Sequence, residues 1–207
     1  ETLNHVPRHV ILPMRIAGNQ LTHFMDAYLV ARGKRSSFDD AEYIEGCLRL
    51  SKLVGDRNIT VLLARMYADQ LICAKETNRD DSLPKTIPDL MLRYVDGLHP
   101  HDTDSGTIRQ ALADSAMVAW ECVRLTFLPT SANRDRLLVK LSREDAEEGL
   151  QHLENVLHVI KTVGFRRELV RFELDVLAEY LAAFHVVEEY RANATQWKRL
   201  LRRISAL

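Results

Sequence analysis

His99-Pro100-His101-Asp102 is the one cluster in the chain with the residue types that hold a metal ion. A structural or catalytic metal needs three or four such ligands, oriented by further hydrogen bonds. This stretch is a Pro-broken loop, so it reads as a solvated turn. His5 and His9 are separated by Pro7, and His152 and His158, six residues apart, fall on different faces of a helix. These imidazoles read as surface residues or as satisfied core residues. The residue patterns for other chemistries are missing. No two glycines have the offset of a phosphate-binding P-loop, and the sequence holds no GxGxxG, GxSxG or HExxH. No catalytic residue and no metal ligand is therefore expected in this chain.

Cys47, Cys73 and Cys122 lie far apart in apolar-periodic stretches. An odd count without CxxC spacing fits neither a disulfide framework nor a zinc site, so buried reduced thiols and a cytoplasmic location are expected. With 28 Lys and Arg against 29 Asp and Glu, the formal charge of the 207 residues is -1. That balance removes the electrostatic case for a nucleic-acid or anionic-membrane binder. At 46% apolar and 28% charged residues the chain has the composition of a folded domain. No run of 18 apolar residues occurs, so neither a membrane span nor a membrane partner is expected. The opening residues Glu1 to Pro7 have no basic or apolar targeting pattern and no initiator Met. The expectation is a piece of a longer protein.

The elements that would position any site are mainly helical. Arg8 to Leu12 reads as a lone strand stopped by Pro13; its unpaired backbone groups predict that it belongs to a sheet lying upstream. From Asn19, a predicted N-cap, the period becomes 3.6: Leu21, Phe24, Met25, Tyr28 and Leu29 share a face and Gly33 closes the helix. A second helix opens at Asp39 or Asp40, carries Tyr43, Ile44, Cys47, Leu48 and Leu50, and stops before Gly55. A third, from about Asn58 to Ala74, is apolar nearly all round, which predicts the buried centre of a first unit. Asn78 to Pro84 is the clearest break. Helix starts follow at Thr86-Ile87-Pro88-Asp89, at Thr107-Ile108-Arg109-Gln110 and at Ser142-Arg143-Glu144-Asp145. Leu157 to Val163 and Leu169 to Phe172, joined through Gly164-Phe165, read as a β-hairpin. Asp175 is the expected cap of the next helix, whose Val176, Tyr180, Phe184 and Val187 share a face with Leu177 and Leu181. The last helix sets Trp197, Leu200, Leu201 and Ile204 against Lys198, Arg199, Arg202 and Arg203, the pattern of a packed amphipathic helix with a solvated basic face.

Helices followed by a hairpin is the order of a winged helix. Its expected recognition helix, Arg143 to Glu154, holds one cation against five acids, a formal -4. Such a helix repels phosphates, so DNA reading and nucleic-acid partners are not expected.

Phe172-Glu173-Leu174-Asp175-Val176-Leu177-Ala178-Glu179-Tyr180-Leu181-Ala182-Ala183 resembles the segment after the winged-helix hairpin in NACHT-type STAND NTPases, multidomain ATPases of defence and innate-immune signalling. Val61 to Ile72, followed by Leu83 to Met91, is similar to the lid helix of bacterial members and the entry into their winged helix. The resemblance implies a mainly α fold: a helical lid subdomain at 18–77 and a winged-helix subdomain at 84–190 with a small β-hairpin. Residues 1–17 would end an upstream NTPase domain, and 191–207 would begin a further helical segment. It implies a nucleotide-gated switch whose P-loop, magnesium-binding acids and sensor Arg lie upstream. No cofactor would then belong to this chain itself, with ATP or ADP and Mg in the intact parent. The partners implied are the upstream NTPase domain and other copies of the protein on activation. Where relatives carry a Gly-x-Pro turn over the adenine, this chain has Arg57-Asn58-Ile59-Thr60, with Thr60 at the Pro position. Thr60 is thus the one candidate cofactor contact. Where animal receptors place a phosphate-contacting His, this chain has Leu174. The alternative reading is a helical scaffold or adaptor that binds a protein partner without nucleotide.

Overall fold

The computed structural model describes residues 15–16, 18–55, 59–78, 83–99, 103–142 and 144–206. The expected strand Arg8 to Leu12, the break at 79–82 and His101 lie outside them. The chain divides into two compact units, Glu1–Tyr94 and Val95–Leu207.

In the first unit, helix α1 (Asn19–Ala31) turns Leu21, Met25 and Leu29 into the core, at the i, i+4, i+8 spacing of one face. Gly18, not Asn19, takes the N-cap position. The helix closes as expected on Gly33: the Gly33 and Lys34 N–H groups donate to the carbonyls of Val30 and Leu29. This closure needs a left-handed residue, and Gly33 has φ 66°. Arg35 then donates to Asp26 and Asp40 at 2.7 and 2.8 Å and lies over the Tyr43 ring, tying the turn after α1 to that helix and to the next. Helix α2 (Asp40–Val54) starts on a reciprocal cap. Asp39 accepts from the Glu42 N–H at 2.8 Å, and Glu42 accepts from the Asp39 N–H at 3.1 Å.

Helix α3 (Val61–Thr77) buries Leu63, Ala64, Met66, Tyr67, Ala68, Leu71, Ile72 and Ala74, more than one face of a helix, as its apolar sequence predicts. Tyr28 of α1 donates to Asp69 of α3 at 2.7 Å, and Lys75 of α3 donates to Glu42 of α2 at 2.5 Å. Gly46 lets α2 approach closely; a Cβ there would sit 3.0 Å from Leu71 Cδ1. Ile44 and Leu48, expected on the buried face of α2, are exposed. Of the expected apolar residues Cys47 and Leu50 are buried, joined by Gly46, so the buried face of α2 is narrower than its apolar sequence.

Helix α4 (Ile87–Asp96) crosses the division between the units. Its start is as read from sequence: the Thr86 hydroxyl accepts from the Asp89 N–H at 3.2 Å and Asp89 accepts from the Lys85 N–H at 3.0 Å.

The second unit is built on helix α5 (Ser105–Val123), which packs most extensively on α8 (Asp175–Tyr190). Small residues permit the close approach: Ala111, Ala116 and Ala119 on α5, Ala178 and Ala182 on α8, all buried. Between these helices the chain makes β1 (Ser131–Asn133), α6 (Arg134–Leu141), α7 (Ala146–Asn155), β2 (Ile160–Val163) and β3 (Leu169–Phe172). The antiparallel sheet has the order β1-β3-β2, with Ile160 opposite Phe172, Val163 opposite Leu169 and Ala132 opposite Val170. Helix, strand, two helices and a hairpin, with the first strand paired to the last, is a winged-helix order. The hairpin falls where the β-branched alternation puts it, and Gly164 supplies φ 93° at its turn. Buried Glu121 of α5 accepts from Arg124 at 2.8 Å and forms an ion pair with Arg136 of α6 at 3.1 Å, so its charge is compensated by two guanidinium groups.

Several local expectations change. α5 begins at Ser105 because Asp104 is the cap. Asp104 accepts from the Gly106 and Thr107 N–H groups at 2.8 and 3.0 Å, capping the helix three residues before Thr107. Ser142 ends α6 in the left-handed region and does not start α7, which opens after Asp145 without a side-chain cap bond. Asp175 is the first residue of α8; Leu174 stands at the N-cap and no side chain caps it. On α8 the buried set is Leu177, Ala178, Leu181, Ala182 and Val186, while Val176 and Val187 are exposed. Of the thiols, Cys47 and Cys122 are buried but Cys73 is exposed.

Candidate functional site

Thr60 serves a local purpose. Its hydroxyl accepts from the Leu63 N–H at 3.3 Å, capping α3, and its backbone forms a bridge to Arg15 while the Ile16 N–H donates to the Ile59 carbonyl at 2.8 Å. Residues 56–58, which would complete the turn over an adenine, lie outside the described residues.

His99 is not in a solvated turn. It is buried and stacked on His152 of α7, ring centroids 5.7 Å apart. Neither of its ring nitrogens, nor Nε2 of His152, has a hydrogen-bond partner among the described residues. Burial, then the neighbouring His152, lowers its pKa, with Asp96 acting the other way. Among the described residues no group of three or more His, Cys, Asp or Glu is placed to hold a metal ion. Pro100, His101 and Asp102 lie outside the described residues.

Two acids of α7, Glu147 and Glu154, are engaged within the second unit. Glu147 of α7 accepts from Arg134, and that bond, then one from Gln151, holds its carboxyl below the usual range. Glu154 accepts from the Thr162 N–H and hydroxyl. Partial burial pulls its carboxyl up, but these bonds and Arg167 carry it down overall. These side chains line a polar cleft of about 460 Å³ between α7 and the hairpin. Phe165, Arg166 and Arg167 project from the hairpin tip, all exposed. Arg134 is matched by Glu147, and Arg167 lies 3.7 Å from Glu154. Two of the cleft's arginines are thus paired with its two glutamates, while Arg166 stands exposed at the hairpin tip.

A second concavity is apolar. α9 (Ala194–Ile204) folds back beside α8 after a short turn in which the Trp197 indole N–H donates to the Arg191 carbonyl at 3.0 Å. Tyr190 meets Trp197 edge-on at 5.8 Å. Together α5, α8 and α9 line a groove of about 360 Å³, walled by Trp120, Phe127, Ala183, Val187, Trp197 and Ile204. Of the expected apolar face of α9 only Leu200 is buried; Leu201 is 58% exposed and Ile204 46%. Val187 on the facing wall is 52% exposed. Sequence patterning finds the α9 stripe but not the groove. Its lining comes from α5, the turn after it, α8 and α9, so it shows only when these elements are brought together.

No protein-family model, no curated protein and no solved structure matches the chain. No helix among the described residues is long and apolar enough to cross a membrane.

Proposed function

We propose that the chain is the lid and winged-helix portion of a NACHT-type STAND signalling ATPase, a nucleotide-gated conformational switch and oligomerisation module in defence signalling. The observation that carries this reading is the link between the sheet and α8. Phe172, buried at the end of β3, leads directly into a helix whose Leu177, Ala178, Leu181 and Ala182 are buried. The residues of the family-like segment are thus those that lock the hairpin onto the helix behind it. The acidic α7 favours a protein-facing winged helix over a DNA reader. In this reading nucleotide and Mg are bound upstream, the upstream NTPase domain is the first partner, copies of the protein are the second, and the site of action is the cytoplasm. Driving such a switch from 1:99 to 99:1 takes about 5.5 kcal/mol of differential binding.

The test uses the full-length product of the gene that encodes this chain. With ADP it should sediment as a compact monomer; with a non-hydrolysable ATP analogue it should oligomerise, and the 78–84 segment should become more sensitive to protease. A full-length product without a P-loop before residue 1, or with no nucleotide-dependent change in mass, would reject the proposal.

The apolar groove favours a second reading, a helical adaptor that binds a protein partner independently of nucleotide.

A further inference from the structure

We infer that the groove between α5, α8 and α9 is a binding site for a small organic ammonium ion, a monocation with an apolar body. The inference goes beyond both readings above: it concerns what the groove holds, and it stands whether or not the chain is gated by nucleotide.

The walls come first. Trp120, Phe127 and Trp197 line the groove together with aliphatic side chains of α8 and α9. Each ring is positioned by the fold itself. Trp120 stacks on His185 and tilts against Phe127, with 6.4 Å between centroids in both pairs. Trp197 donates its indole N–H to the Arg191 carbonyl and meets Tyr190 edge-on. Aromatic walls set in advance lose little freedom when a ligand arrives. A volume of about 360 Å³ lies in the range of small-molecule sites, whose usual make-up is apolar walls with few polar groups.

Charge then selects the ligand. Glu179 is the one charged residue in the lining, and it makes no ion pair among the described residues. Glu179, Ala182, Ala183, Val186 and Val187 form one face of α8. Glu179 is the first of them and Val187 stands about 12 Å further along the helix. The α8 wall is therefore acidic at one end and apolar along the rest, the complement of a cationic head on an apolar body. An anion would meet the Glu179 carboxylate as a like charge. A neutral apolar ligand would take water from that carboxylate and return no partner. An ammonium ion pairs with it, and its alkyl groups lie against ring faces whose quadrupole attracts cations. One of these rings already receives a cation within the fold: Arg203, which does not line the groove, lies over Phe127 at 5.2 Å from the centroid.

Trp120 and Trp197 are the two tryptophans of the chain and both line the groove, so intrinsic fluorescence reads this site. The full chain is titrated with phenylbutyl-trimethylammonium, and with phenylbutanol and phenylbutyrate as its neutral and anionic counterparts. The ammonium should saturate the signal below about 1 mM and bind at least about ten-fold more tightly than the alcohol, with the carboxylate weakest. Glu179→Gln should abolish that preference and leave binding of the alcohol unchanged. Glu179 is exposed, and an unaltered thermal melt would show that the variant is folded. Trp197→Leu should weaken binding of the ammonium while Trp120 still reports it. No saturation by the ammonium, equal affinity for ammonium and alcohol, or a Glu179→Gln chain that keeps the preference would overturn the inference. So would a dimer in sedimentation, or a displayed peptide selected on the full chain, that is lost in Val187→Asp but kept in Glu179→Gln, because the groove would then belong to a protein surface. A full-length protein that fails to respond to nucleotide would leave these outcomes untouched, so the inference and the nucleotide-gated reading fail separately.

Discussion

Glu154 of α7 accepts two hydrogen bonds from one residue of the hairpin: Thr162 donates its N–H to Oε1 and its hydroxyl to Oε2, each at 2.8 Å. The acid that most clearly argues against DNA binding by charge is also the clamp between α7 and β2. Glu154→Ala would leave the Thr162 N–H and hydroxyl without these partners in a half-buried position. The expected loss is about 1–3 kcal/mol, read as a lower melting temperature with faster hydrogen exchange at the Thr162 amide. Glu154→Gln keeps one oxygen acceptor and should lose less. An unaltered Thr162 exchange rate in Glu154→Ala would show that the pair does not form in solution.

The two caps separate a side chain that satisfies backbone groups from one that merely stands near them. Thr60 accepts the Leu63 N–H, so Thr60→Ala should destabilise the chain by about 1 kcal/mol, and Thr60→Ser by much less. Asp175, the sequence-expected cap of α8, makes no cap bond and sits in the first turn, where it interacts only with the helix dipole. Asp175→Ala should cost about 0.3 kcal/mol. Equal losses in urea melts of the two variants would contradict this ordering.

The same contrast explains how much of the fold was legible in the sequence. α1 to α4 and the hairpin could be read because each carries a strong local signal: the Asp39–Glu42 and Thr86–Asp89 pairs, Gly33, and the β-branched alternation before Gly164. β1 and α6 were not found. Ser131–Asn133 is three residues long, too short for alternation to register, and its strand character comes from pairing with β3 far along the chain. Arg134–Leu141 is only eight residues long, with its apolar residues bunched at 137–139 and 141 and Leu137 alone buried, too short a run for the helical period to register. Burial of single side chains was harder still. Nothing local distinguishes Cys73 from Cys47, or His99 from an exposed histidine; the elements packed on them decide. The groove is missing from the sequence for the same reason, since it is a property of three helices at once.

The thiols provide a direct check on that packing. Burial pushes the Cys122 thiol up to about 11 and raises Cys47 as well, whereas Cys73 is exposed on α3. At pH 8 an aromatic disulfide reagent should modify one thiol per native chain rapidly. The other two should react about a hundred-fold more slowly, until denaturant exposes them. Mass spectrometry after brief labelling should find the adduct on Cys73. Prompt modification of Cys122 would mean that the α5–β3 contact, where its Sγ approaches the Val170 carbonyl at 3.6 Å, is open in solution.

Acid should weaken the second unit through its histidines. Burial, then the positive charge His152 would carry, lowers the His99 pKa, with Asp96 acting in the opposite sense. Burial also lowers that of His185, which stacks on Trp120 and is opposed by Glu189 and Glu121. A histidine with a depressed folded pKa is protonated first in the unfolded chain, whose imidazoles titrate near 6.5. Between that value and the lower folded one the unfolded state binds more protons, so stability falls as pH drops and is regained as it rises. The engaged carboxylates Glu147 and Glu154 titrate below the usual carboxylate range and so contribute nothing in this window. The melting temperature should therefore fall between about pH 7.5 and 5.5. His99→Leu removes the titrating group while keeping an apolar side chain against His152, and its melting temperature should fall less over the same interval. A wild-type chain and a His99→Leu variant with parallel pH profiles would show that His99 reaches water freely enough to protonate without strain.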